Sequence, residues 1–399
     1  MMADEHTGRR RYRVLHSVRS LRVDGIVVNL LRMVQALDES RFESRVCFVL
    51  PDVQLESEYR RAGVAPVLLE HRGHASTLAT LRRIARYIRE NQIDIVHTNH
   101  SLDSTLVGLA ARACNVPVVS SLHWLAERGA ERPGVIRAPL RTITPVVRLA
   151  MDRWVVSRVI AVSQAVKDTH VNVHGLPAWK TDVVYPGLAM SGTAAPSADA
   201  LARLRAEITP DGARPLLVNV GRLVAGKGQE HLLRMLPRVL DRWPDALLLL
   251  VGDGPRRVDF EEWIAGDRRL ATHVRMLGWR PDIDAILALG DLLLMPSDSE
   301  AAPLPLMEAM RAGRAVVATA VGGVPEIVAD GVSGRVVPRA SPEAMADAVL
   351  EMLSVDGRAE RMGAEGRRIA LERFDIRESA RATERIYLTL LEGNERRAS

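Results

Sequence analysis

A chain of 399 residues is long for one hydrophobic core, so two domains, or at most three, are expected. With 47% hydrophobic, 26% charged and only 4% aromatic residues, it excludes disordered, collagen-like and disulfide-stapled classes and argues against a base-stacking platform. The net charge of +5 is uneven, with 26 Lys+Arg against 18 Asp+Glu in residues 1–190 and 28 against 31 in the rest, so the first half offers either a field for an acidic or membrane-surface partner or simply a solvated basic face.

The N-terminus, MMADEHTGRRRYRVL, is polar and lacks the apolar stretch of a secretory signal. No apolar run approaches the roughly 18 residues of a membrane span, and the expected location is cytoplasmic, with the inner membrane face as its extension. Strand-forming runs follow at residues 13–18, 44–50, 65–70, 94–99, 117–123 and 158–163, with helical stretches such as 80–91 between them. These runs are apolar along their whole length, which predicts a parallel sheet covered on both faces. Cys47 and Cys114 lie in apolar segments without metal-ligand spacing and read as packing. In residues 128–158, Arg128, Arg132, Arg137, Arg141, Arg148, Arg153 and Arg158 interleave with apolar residues, making this the candidate interfacial segment.

The small-residue stretch GLAMSGTAAPSADA at 187–200 reads as the start of a linker, placed at 188–212. The pattern then restarts, with strands expected at 215–221, 246–252, 273–278, 292–297, 315–320 and 334–338. The expected architecture is two doubly wound α/β domains, 1–187 and 213–374, with ligands beyond the carboxyl ends of the strands and a cleft between domains as the place for a site. The segment 378–397 is an amphipathic helix with Ile386, Leu388, Leu390 and Leu391 on its apolar side. No strand follows it, so residues 375–399 are expected to pack back on the first domain.

Residues 299–310 read SEAAPLPLMEAM, with Glu300 and Glu308 around two prolines. Pro303 and Pro305 disfavour helix before them and suit its first turn, so a helix is expected to begin near Leu304 to Leu306 and stop at Gly313. Its free N–H groups form an anion site, Glu308 is expected in the first turn, and the flanking acids suit sugar hydroxyls better than a bare phosphate. The alternative for Glu308 is a simple complement to the helix dipole.

A second strand, turn and helix opening occurs at VNVGRLVAGKGQEHLL, residues 218–233, where Arg222 and Lys227 flank a glycine turn after Gly221. Only Lys167, Lys180 and Lys227 are lysines, against 51 arginines, so keeping Lys here suits a compact ammonium meeting a diphosphate oxygen head-on. There is no GxxxxGK[ST] loop, and GDGPRR at 252–257 lacks the third glycine of a dinucleotide fingerprint.

The segments GRLVAGKG (221–228), VGDGP (251–255), EAAPLPLMEAMRAGRAVVAT (300–319) and GGVPEIVADGVSG (322–334), in this order, resemble the family-four retaining glycosyltransferases, which have two Rossmann-like domains facing across a cleft (the GT-B type). Earlier segments, DIVHTNHS (94–101), VVSSLHW (118–124), RVIAVSQAVKD (158–168) and VVYPG (183–187), are similar to that family's acceptor domain. The resemblance implies that Arg222 and Lys227 hold the donor diphosphate. It places the ribose at Glu308, and the transferred sugar at Glu300 and the backbone of Ala302, Pro303 and Leu304. It also puts the base near Trp279 and Arg280, the reacting carbon near His123, and a diphosphate loop at Gly25. Asp24 and Val27 depart from the family's Gly-Gly-x-Glu loop, and Ala301 and Ala302 stand where Gly and an aromatic are common. His97 reads as buried strand scaffolding, and His100 stays open.

The implied reaction moves a sugar, with retention, from a UDP- or GDP-sugar to a glycan, lipid-linked or small-molecule acceptor. Two cations and a helix start can carry the leaving group's charge, so neither a cofactor nor a metal is expected. Asp282 and Asp284 read as helix capping. Peripheral membrane contact would use the basic first half, and no nucleic-acid motif occurs. The alternatives are a nucleotide-sugar epimerase or a non-catalytic sugar-nucleotide-binding subunit; a phosphorylase would need a pyridoxal-bearing lysine for which three lysines leave little room.

Overall fold

The computed structural model describes residues 11–70, 77–99, 101–125, 153–190, 196–209, 212 and 214–398. Residues 128–152 of the expected interfacial segment and His100 lie outside them. The chain divides into two compact units, Met1–Gly187 with Ile376–Ser399, and Leu188–Asp375.

The first unit alternates strand and helix: β1 (Tyr12–Val18), α1 (Gly25–Ala36), β2 (Phe42–Phe48), α2 (Glu56–Arg61), β3 (Val67–Leu68), α3 (Thr77–Glu90), β4 (Ile95–Thr98), α4 (Ser101–Ala113), β5 (Val118–Leu122), β6 (Arg158–Ala161), α5 (Gln164–His174) and β7 (Thr181–Val183). The strands form one sheet in the order β3-β2-β1-β4-β5-β6-β7, and all its pairs are parallel. The run expected at 65–70 pairs only over β3, because it is the edge strand with a partner on one side alone. The C-terminal helix, Ile376–Ala398, completes this unit. Ile376, Ala380, Tyr387 and Leu391 follow helical spacing and join Val14, Phe42, Ile95 and Val119 in one buried cluster. The sequence placed Leu388 and Leu390 on that face, but they are only partly buried, and Tyr387 takes the central position. Gly187 meets the helix start so closely that a Cβ there would lie 2.4 Å from Ile376 Cα.

The second unit carries α6 (Ala198–Ile208), β8 (Leu216–Val220), α7 (Gln229–Leu240), β9 (Leu247–Val251), α8 (Arg257–Gly266), α9 (Arg268–His273), β10 (Val274–Gly278), α10 (Ile283–Leu289), β11 (Leu292–Met295), α11 (Leu304–Arg311), β12 (Ala315–Thr319), α12 (Val324–Ile327), β13 (Gly334–Val337), α13 (Pro342–Ser354) and α14 (Arg358–Arg373). Helix α6 falls inside the stretch expected as a linker. Ser197 caps it through Ala200 N–H, and Leu204 and Ile208 are buried, so this is an ordered helix of the second unit. The sheet order is β10-β9-β8-β11-β12-β13, all parallel, a doubly wound order that reverses between β8 and β11. Leucines of β8, β9 and β11 pack against α7 and α13 on one side of the sheet.

Candidate active site

The reversal between β8 and β11 is where doubly wound sheets bind ligands. The ladder there is short, with Leu217 and Val218 registered against Leu292 and Leu293. Past it the Asn219 side-chain amide donates to the Leu294 carbonyl at 2.8 Å, so the backbone pairing ends before the strands do. Each strand then hands the chain to a loop, residues 221–228 after β8 and residues 296–303 after β11.

The 221–228 turn is fixed by its backbone. Gly221 N–H donates to Val251 O at 2.9 Å, Leu223 N–H to Asp253 O at 3.0 Å, and Asp298 N–H to Gly226 O at 2.9 Å. The side-chain amide of the buried Gln229 donates to the Arg222 carbonyl at 3.1 Å. Gly228 has the left-handed φ of 69°, and a Cβ there would lie 2.1 Å from Pro296 O. The two loops therefore meet backbone to backbone only because that position has no side chain. The GDGP loop at 252–255, which fails as a dinucleotide fingerprint, serves as backing for this turn through Asp253 O.

The Lys227 ammonium lies 2.6 Å from Glu300 Oε1, and Ser297 Oγ donates to the same oxygen at 2.7 Å. Glu300 is 8% exposed and Lys227 33%, so the carboxylate sits below the ammonium and the ammonium faces out. An ammonium has three donors, and Glu300 takes one, leaving two for a ligand. Arg222 is exposed, and no other described side chain holds its guanidinium. Gly323 N–H binds the Glu300 carbonyl at 3.1 Å and fixes the loop from the β12 side.

Four residues past Glu300, α11 begins with Pro303 as its N-cap and Pro305 in its first turn. Prolines carry no N–H, so the start presents the N–H groups of Leu304 and Leu306, and no side chain among the described residues caps them. Pro303 and Leu304 are buried and Ala302 half-buried. Glu308 is the fifth helical residue, one turn deeper than expected, because the helix begins at Leu304. The dipole acts within the first turn, which removes the simplest alternative for this half-buried acid.

Trp279 follows β10 and is 56% exposed. The Arg280 guanidinium is fixed, donating to both Asp282 oxygens at 2.8 and 2.7 Å and to Glu207 of α6 at 2.7 Å. These bonds hold Arg280 above the ordinary guanidinium range. Asp282 occupies the N-cap position of α10 but caps nothing, since its carboxylate faces Arg280, whose hydrogen bond holds it below the usual carboxylate range. Asp284 pairs with Arg311 at 2.6 Å. The Asp-x-Asp thus serves arginines instead of capping, and no cluster of three metal-ligating side chains occurs among the described residues.

In the first unit, His123 follows β5, is half-buried, and lines a small cavity with Asn29, His97, Asn99, Ser121 and Tyr185. Its volume of about 20 Å³ suits one water. Gly25 is exposed and opens α1, and the departure at Asp24 has a local cause: its carboxylate caps the helix by accepting from Val27 N–H at 2.9 Å. His97 is scaffolding, with Nδ1 2.5 Å from Tyr387 Oη and Nε2 2.7 Å from Ser121 Oγ. Sequence reasoning missed His16, which faces His97 across the β1–β4 register at 5.6 Å between ring centroids. Both of its ring nitrogens are buried without a hydrogen-bond partner among the described residues, and burial lowers its pKa to about 3. Burial, then His16, also lowers His97 well below the ordinary histidine value.

Residues 202–369 match the family described as glycosyl transferases group 1, and residues 23–191 match glycosyltransferase family 4. The chain is 34% identical over 305 residues to the GDP-mannose-dependent alpha-(1-6)-phosphatidylinositol monomannoside mannosyltransferase of Mycolicibacterium smegmatis, covering 74% of this chain and 76% of that one. It is 30% identical over 340 residues to the D-inositol 3-phosphate glycosyltransferase of Streptomyces griseus, covering 78% and 70%. Among solved structures, Anabaena HepE in complex with UDP-glucose shares the fold with a TM-score of 0.82 at 20% identity, covering 94% of this chain and 99% of that one. Sucrose-phosphate synthase from Thermosynechococcus elongatus does so with a TM-score of 0.78 at 20% identity, covering 96% and 100%.

Proposed function

The chain belongs to the family 4 glycosyltransferases, and on that premise we propose that it moves a hexosyl group, with retention of configuration, from a nucleoside-diphosphate sugar to an acceptor hydroxyl. One observation carries this reading: the outward-facing Lys227, held on Glu300, stands in loops joined at the sheet reversal, beside a helix start that no side chain caps. Breaking the glycosidic bond leaves a diphosphate with growing negative charge. Lys227, Arg222 and the N–H groups of Leu304 and Leu306 are the donors for it, and charge-stabilising donors of this kind are each worth roughly 3 kcal/mol in a transition state. This carries the leaving group without a metal or other cofactor. Glu308 takes the ribose hydroxyls, Glu300 and the backbone from Ala302 to Leu304 the transferred sugar, and the backbone near Trp279 and Arg280 the base. For His123 and Gly25 the family resemblance remains the only support for a role at the reacting carbon and at the diphosphate.

Two relatives are named for acceptors that contain inositol, so phosphoinositol-bearing lipids and inositol phosphates are the first acceptors to try. UDP- and GDP-sugars are both donors to test, since backbone contacts give no side-chain code for the base. Peripheral contact with anionic lipid through the basic first half goes with a lipid-linked acceptor. The test is a thermal-shift screen against GDP, UDP and their sugars, followed by product analysis with and without acceptor in EDTA. Stabilisation by one diphosphate family and acceptor-dependent transfer in EDTA are expected. An epimerised sugar without acceptor, or no response to any nucleotide, would sink the proposal.

A further inference from the structure

Glu300 makes unequal use of its two oxygens. Oε1 receives both Lys227 Nζ at 2.6 Å and Ser297 Oγ at 2.7 Å. Among the described residues no donor bonds to Oε2, and it is not one of the fully buried unpaired oxygens, so it is not sealed from solvent. A carboxylate accepts at both oxygens, and one saturated within the protein leaves the other to accept from a ligand.

Ser297 can impose this orientation because it is itself immobile. It lies two residues past β11, is buried, and its carbonyl accepts from Thr319 Oγ1 of the adjacent β12 at 2.5 Å. Lys227 cannot do the same alone, since its side chain is one-third exposed and a lysine stem is long and flexible. We propose that Ser297 is a positioning residue of the transfer site: its hydroxyl turns Glu300 so that one oxygen clamps Lys227 and the other accepts a hydroxyl of the transferred sugar. The inference rests on the donor-site reading given above. Without the hydroxyl, the carboxylate rotates, and the ammonium it carries loses its fixed place just when charge develops on the leaving diphosphate.

The test uses the full chain and a double-mutant cycle of Ser297→Ala with Glu300→Gln, with Ser297→Thr as the conservative control. Ser297→Ala is expected to keep the wild-type melting temperature within a few degrees and to lower kcat about tenfold, the size of one hydrogen bond to a charged group, with the donor KM within about twofold. Ser297→Thr restores most of the rate, and Ser297→Ala costs nothing further in the Glu300→Gln background. Wild-type kcat in Ser297→Ala, or losses that multiply fully in the double variant, would overturn the positioning role. A wild-type chain that transfers from no nucleotide sugar would instead overturn the donor-site reading itself.

Discussion

Lys227 is one of three lysines in a chain with 51 arginines, and that scarcity made it visible before any fold was known. Its partner was not visible in the same way. Glu300 lies 73 residues on, and only the adjacency of β8 and β11 brings the two to 2.6 Å. The depth of Glu308 and the use of Asp282 and Asp284 were likewise illegible: the first depends on where the helix starts, the second on Arg280 and Arg311 finding them. At Glu308 the expected result is plain. If Glu308 takes the ribose as proposed, Glu308→Gln removes the charge that strengthens that hydrogen bond, so affinity for the nucleoside diphosphate should fall about tenfold by calorimetry. Equal affinity in the variant would remove the ribose role.

The strands were legible as elements because parallel strands buried on both faces are apolar throughout, which a sequence displays directly. Helix α6 was hidden by the small residues around it, and the buried face of the C-terminal helix was misjudged because its centre is a tyrosine. Tyr387 Oη meets His97 Nδ1 at 2.5 Å, tying that helix to the first sheet. Tyr387→Phe should cost about 1–3 kcal/mol, read by urea denaturation, because it leaves a buried imidazole nitrogen unpaired. An unchanged midpoint would show that the bond contributes nothing. At the turn before α7, Gly228→Ala forces a side chain into a left-handed position and against Pro296 O. It should destabilise the second unit by about 2 kcal/mol or more and lower turnover with it, measured by melting and assay together. Wild-type melting would mean the two loops are less tightly joined than their geometry states.

At the scale of the molecule, both sheets repeat one winding rule, and the restart of the strand pattern near residue 215 announced it. Of the two buried histidines in the first sheet, His97 was legible as strand scaffolding and His16 was not, since nothing in a strand pattern says that two imidazoles will face each other. His16 is neutral in the fold, with its pKa lowered to about 3, while in the unfolded chain it protonates near 6.5. The unfolded state therefore binds more protons between these values, and stability is full above about pH 6.5 and is lost as pH falls towards 3. The loss from His16 alone is about 2 kcal/mol at pH 5, and His97 acts in the same direction. His16→Phe should flatten the fall in melting temperature between pH 7 and 5 without lowering it at pH 7, since it removes two unpaired nitrogens. An unchanged pH slope would contradict the assignment. The central claim is that Arg222 and Lys227 bind a diphosphate, and calorimetric titration of wild type, Arg222→Ala and Lys227→Ala with the preferred nucleoside diphosphate and with its bare nucleoside tests it most directly. The account predicts that each variant loses at least tenfold in affinity for the diphosphate and nothing for the nucleoside; diphosphate affinity equal to wild type in both variants would contradict it.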